Sequence, residues 1–178
     1  MNKLSRWNLT GIFVLTVLGF LLHFLFQWTG NSKIIGLIAP VNESVWEHLK
    51  LGYWAVMLFS IVEYPQINQS VHNYFFAKTV GVLALEFTIV IIFYGYTFFS
   101  GRAILLIDIL SYVIGVILCQ YVSYKVLSLQ TFPWRIQSLS LAIFIGIAVL
   151  FAVTTYYPPQ YKIFLDTNNN TYGINKEF

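Results

Sequence analysis

Pro40-Val41-Asn42-Glu43-Ser44-Val45-Trp46-Glu47-His48-Leu49-Lys50 gathers five ionisable or hydroxyl side chains at the opening of one apolar window, in a chain that is otherwise almost uninterrupted lipid-soluble sequence. How costly that density is depends on the surroundings, and composition fixes them. With 58% apolar, 19% aromatic and only 10% charged residues, the 178-residue chain does not have the surface of a soluble domain. A bilayer core takes about 20 apolar residues per helix. Five windows meet that length, at about 9–28, 44–63, 76–99, 102–127 and 134–157, and they predict an all-α polytopic membrane protein, a single bundle of five transmembrane helices. Residues 158–178 form a tail outside the membrane. The windows lack the alternation and turn spacing of a small barrel.

Lys3 and Arg6 resemble the basic start of a signal peptide, but the apolar run behind them is long enough to span and carries no small-x-small cleavage site, so it reads as a retained first helix. Cys119 is the only cysteine and falls in the fourth window, which makes an intramolecular disulfide impossible and suits core packing. The net charge of +3 is spread over the loops, which argues against nucleic acid and against a polybasic lipid patch. Basic residues near the helix ends divide evenly between the two sides; the basic start of the first helix favours an N-terminus inside, and five spans then place the C-terminus outside.

Relative depth does not depend on that orientation, because successive helices run in opposite directions. If the loop after the first helix marks the upper face, His23 lies about one and a half turns below it. Glu43, Glu47 and His48 lie in the first turns of the second helix at the same face, and Asp108 lies almost two turns below it in the fourth. Glu86 falls near the middle of the third helix, while Glu63, His72 and Lys78 belong to the opposite face. Gly19, His23 and Gln27 recur every four residues, a small-polar-polar stripe suited to a neighbouring helix rather than to lipid. At 100° per residue Glu43, Ser44, Glu47 and His48 fit within an arc of about 140°. The expectation is a polar cavity at one leaflet, lined by the first, second and fourth helices.

Part of this cluster has a structural use. Asn42 or Ser44 can cap the second helix, and Ser44-x-x-Glu47 matches a capping box. Capping leaves His48, Lys50 and the second carboxylate without a role, and ionisable groups inside a membrane are functional candidates by default. Glu86 is expected to find a structural partner in Lys78 two turns away. In the tail, Asp166, Asn168, Asn170 and Glu177 occupy the first, third, fifth and twelfth places of a calcium loop, but Thr171 stands where the tight turn needs glycine, so calcium is not expected. The tail reads instead as a turn-rich flap whose Ile163, Phe164 and Leu165 dock on the bundle rim.

Residues 40–51, PVNESVWEHLKL, and the tail pattern Pro158-Pro159…Phe164-x-Asp166…Tyr172-Gly173 resemble an uncharacterised family of small bacterial multi-spanning membrane proteins, over the whole chain. The resemblance implies an all-helical fold in a bacterial cytoplasmic membrane and supplies no activity.

Function therefore has to come from the residues. The first expectation is a metal-dependent intramembrane hydrolase of lipid-like substrates. His23, His48 and Asp108 hold a zinc-type divalent ion, Glu47 or Glu43 acts as general base, and Asn42, Gln27, Arg102 and Glu86 contact substrate. A metal-free variant uses His48 as a base toward Ser44. The alternative is a small-solute or proton-coupled transport protein, with Glu86 as a midplane station, or an accessory subunit whose polar mouth binds a partner. Expected partners are the lipid bilayer, a lipid-like or small polar ligand and a second copy of the chain.

Overall fold

Apolar runs of 23 to 27 residues form five helices in the computed structural model, which describes residues 3–174: α1 (Lys3–Trp28), α2 (Val45–Ile67), α3 (Tyr74–Ser100), α4 (Leu105–Leu127) and α5 (Trp134–Tyr156). Short 3-10 turns cover Ile35–Leu37, Asn68–Ser70 and Lys162–Phe164, and the tail ends in a two-stranded hairpin, β1 (Leu165–Asp166) and β2 (Thr171–Tyr172). α1 begins earlier than hydropathy suggests because Leu4 and Trp7 pack on a satellite core of Ile67, Val71, Tyr74, Ala77 and Leu127. α4 begins later, at Leu105, because Gly101 closes α3 in the left-handed conformation (φ 69°) and Ile104 is extended.

Cross-contacts fix an up-and-down order. His23 near the end of α1 meets His48 at the start of α2, while Trp7 meets Phe59. Tyr96 on α3 bonds Asp108 at the start of α4, and Tyr112 of α4 reaches back to the Leu15 carbonyl of α1 at 2.8 Å. Trp46 and Tyr53 of α2 bond Thr154 and the Phe144 carbonyl of α5. The end of α1, the start of α2, the α3–α4 connection and the end of α5 thus meet at one face, as the depth argument expects. The stripe on α1 does face a neighbour, since a Cβ on Gly19 would run into the Tyr112 ring.

Four helices, α1, α3, α4 and α5, are long and apolar enough to cross a membrane. α2 differs because of its charges, and it is also the most enclosed helix: 13 of its 23 residues are buried, against 5 of 26 in α1. Its charges survive burial by pairing. Lys50 Nζ lies 2.5 Å from Glu47 Oε2, and Lys78 of α3 pairs with Glu63, whose Oε2 also accepts from Tyr74 Oη at 2.8 Å. Lys78 is therefore Glu63's partner and not, as its spacing suggests, that of Glu86. The Glu86 carboxylate oxygens are buried with no hydrogen-bond partner among the described residues.

The tail folds back over the upper face. Phe164 packs against Trp46 with tilted rings whose centroids are 4.7 Å apart, Ile163 packs on the main core, and the Ile174 amide donates to the Thr155 carbonyl at 2.9 Å. In the hairpin Leu165 faces Tyr172 and Asp166 faces Thr171. Asp166 is spent on the fold: it accepts from the Asn168 amide, from Asn169 Nδ2 and from the Glu43 amide. Glu177, the last position of the calcium pattern, lies outside the described residues.

Candidate metal centre

The extended segment before α2 is folded by local bonds. Asn42 Oδ1 accepts from the Ser44 amide at 3.0 Å, and Ser44 Oγ caps α2 by accepting from the Glu47 amide at 3.3 Å. Asn42 Nδ2 donates to the Gly173 carbonyl at 3.0 Å, tying the segment to the tail. Asn42 and Ser44 are thus committed to structure, and Ser44 does not fit the nucleophile role.

Glu47 is also committed. It is 2% exposed; its Oε2 accepts from the Val41 amide at 3.1 Å and faces Lys50, and its Oε1 accepts from Thr155 Oγ1 at 3.2 Å. Lys50 Nζ in turn donates to the Gly36 carbonyl at 2.7 Å and to Thr155 Oγ1 at 2.9 Å. This closed knot clamps the loop before α2 and the end of α5 onto the start of α2. A carboxylate with its lone pairs so engaged is a poor general base, which corrects the expectation for Glu47.

Glu43, one turn earlier, points the other way. Its side chain is 44% exposed; Oε2 lies 3.4 Å from His48 Nε2, and Oε1 lies 4.0 Å from His23 Nε2. One ligand atom from each of His23, Glu43 and His48 can be chosen so that all three lie within 4.8 Å of one another. The two imidazole rings are 5.5 Å apart, and Phe24 packs edge-on to His23 at 4.9 Å.

The tautomer of His48 follows from its partner. Nδ1 lies 2.9 Å from the Ser44 carbonyl, which can only accept, so Nδ1 carries the hydrogen. In the neutral ring Nε2 then turns a lone pair toward a carboxylate oxygen, and two acceptors at that distance repel. Either a second proton or a cation between them resolves the conflict. A ring oriented by an Nδ1–H bond to a backbone carbonyl, with Nε2 directed at the ion, is the usual arrangement around metals. Tetrahedral donors about 2.0–2.1 Å from zinc lie roughly 3.3 Å from each other, which the His48–Glu43 edge of the triangle matches, while the other two edges are longer.

Asp108 does not join this group. Its Oδ1 accepts from Tyr96 Oη at 2.7 Å, and it lies within electrostatic range of His48. Glu43 takes the carboxylate place that shared depth alone assigned to Asp108. Arg102 stays exposed in the α3–α4 connection and Glu86 lies deeper, so neither borders the site.

Beside the triad lies a cavity of about 450 Å³, bounded by the end of α1, the loop before α2 and the tail hairpin. His23 and Glu43 form one wall, and Gln27, Asn31, Lys33, Asn42, Asp166 and Asn169 line the rest with Phe26, Val41 and Ile174. Lys33 and Asn31 were not singled out by sequence reasoning; the available signal was that Lys33 is the sole cation between His23 and Lys50. Comparison with curated proteins and with solved structures finds no match. A family model does match, over residues 1–174, and the chain belongs to that family, a family of unknown function (DUF6512).

Proposed function

We propose that the chain is a five-span membrane protein that binds a divalent transition metal through His23, Glu43 and His48 and uses it to hydrolyse a lipid-like substrate at one leaflet. The fifth span is α2. It runs antiparallel to α1 and α3 with contacts from His48 down to Glu63, so if its neighbours cross the bilayer it crosses too. The basic start of α1 favours an N-terminus inside and a C-terminus outside.

The observation that carries the metal reading is the convergence of two imidazole nitrogens on one carboxylate, with His48 Nδ1 bonded to a backbone carbonyl so that Nε2 faces it. Two His and one Glu are a catalytic zinc ligand set, three protein donors leaving a position for water or substrate. An ion held there supplies a Lewis acid and lowers the proton affinity of water. Asp108, of which Tyr96 engages only Oδ1 among the described residues, is the carboxylate on the neighbouring helix left for the general-base role that Glu47 cannot fill.

Elemental analysis of detergent-purified protein tests this together with a lipid-ester hydrolysis screen. The expected result is near-stoichiometric metal in the wild type, lost in His23→Ala and His48→Ala and kept in Asp108→Asn, which hydrolyses at least about 100-fold more slowly. Folded wild type that takes up no zinc, cobalt or manganese refutes the reading.

One observation favours the second reading, proton-coupled transport. The Glu86 carboxylate and the Gln120 side-chain amide are both buried without partners among the described residues. Proteoliposomes with an internal pH dye distinguish the two: proton movement abolished by Glu86→Gln supports transport, and an inert wild type rejects it.

A further inference from the structure

The residues lining the cavity divide into two groups. Asn42, Asp166 and Asn169 spend their polar atoms on one another and on the backbone, so they build the wall. Gln27, Asn31 and Lys33 do not. Their side chains have no hydrogen-bond or ion-pair partner among the described residues, and all three line the same space as His23 and Glu43. A ligand there meets, beside His23 and Glu43, three exposed N–H donor groups that no atom of the described residues occupies.

We propose that this cavity takes a phosphate-ester anion, bound jointly by the ion and by Gln27, Asn31 and Lys33. The proposal rests on the metal reading and adds the substrate class. Charge supports it: with a divalent ion in place, the positive charges of the ion and Lys33 exceed those of the Glu43 and Asp166 carboxylates by one, which a phosphodiester monoanion balances. Donor chemistry supports it too, since a phosphate presents non-bridging oxygens in several directions at once and amide and ammonium donors bind them with charge-assisted bonds. The volume of about 450 Å³ accommodates such a group with its alcohol. Phe26, Val41 and Ile174 add apolar wall, and the exposed Phe24 and Trp28 on α1 lie beside it where acyl chains would run. A phospholipid headgroup and a soluble phosphate ester share this chemistry.

The test uses full-length protein in detergent, loaded with Co²⁺ and freed of excess ion, with Zn²⁺-loaded protein as the diamagnetic control. Phosphorus-31 relaxation is measured for two probes, dihexanoyl phosphatidylglycerol and inorganic phosphate. Faster relaxation over the cobalt protein is expected, with an apparent Kd that rises about ten-fold or more in Lys33→Gln at unchanged cobalt content. A response to the lipid alone identifies the headgroup as the source, and a response to inorganic phosphate alone a soluble ester. Full cobalt content with relaxation no faster than in the zinc control overturns the proposal, as does an unchanged Kd in Lys33→Gln. Protein that binds no cobalt overturns the underlying metal reading, and elemental analysis tells that failure from the others.

Discussion

The Glu47–Lys50–Thr155 knot and the Glu43–His23–His48 mouth are supported from the same turn of α2, and each centres on one carboxylate. They differ in how far that carboxylate is satisfied. Glu47 is enclosed and each oxygen has a donor, whereas Glu43 is half open and its oxygens face imidazole nitrogens and accept no hydrogen bond among the described residues. Density of polar residues in an apolar chain therefore marks expense, and partner accounting decides between structure and use. The first cluster holds the loop that carries Glu43 in place, so the mouth depends on the knot.

Breaking the closed side should have the largest effect. Lys50→Met leaves Glu47 buried beside only neutral donors, and removing one partner of a buried pair costs about 3–5 kcal/mol. Thermal unfolding in detergent should show a large drop or loss of the folded form, and metal uptake should fall with it. Breaking the open side should separate the two properties. Glu43→Gln should weaken metal binding about 100-fold or more, since even supporting residues around an ion contribute 10–100-fold, while the unfolding temperature of the metal-free protein stays near wild type.

Smaller effects sharpen the contrast at the rim. Asp166→Ala removes an acceptor from three donors, at a cost of about 1–3 kcal/mol, and should speed proteolysis and amide exchange in the hairpin before the helices respond. Glu86→Gln should be the mildest: replacing an unpartnered buried carboxylate by a neutral amide should leave thermal stability within about 1 kcal/mol or raise it. A strong destabilisation would mean that Glu86 has a partner after all.

Much of this was readable in the sequence, because helix length, alternation of direction and distance from a helix end are all set by residue counts. His23 and His48 could be placed at one depth on those grounds alone. Depth does not give azimuth, however, and that is why Asp108 rather than Glu43 looked like the third donor. Glu43 precedes α2, where no helical period applies; its orientation is set by the Asn42 turn and by Asp166 from the tail, 123 residues away. Lys50 was left without a role although it stands three residues after Glu47, and Thr155 and the Gly36 carbonyl, which close the knot, come from α5 and a 3-10 turn. Lys78 was given to Glu86 by helical spacing, yet Glu63 at the same face was the nearer charge in three dimensions.

The most direct test of the open mouth is titration of metal-free protein with Co²⁺, followed by its ligand-field absorption, in wild type, Glu43→Gln and His48→Gln. One equivalent bound in the wild type with the intense bands of a low-coordinate site, and no such bands in either variant, is the predicted result. Equal binding in wild type and Glu43→Gln, with both proteins folded, would contradict the assignment of the exposed carboxylate to a metal centre.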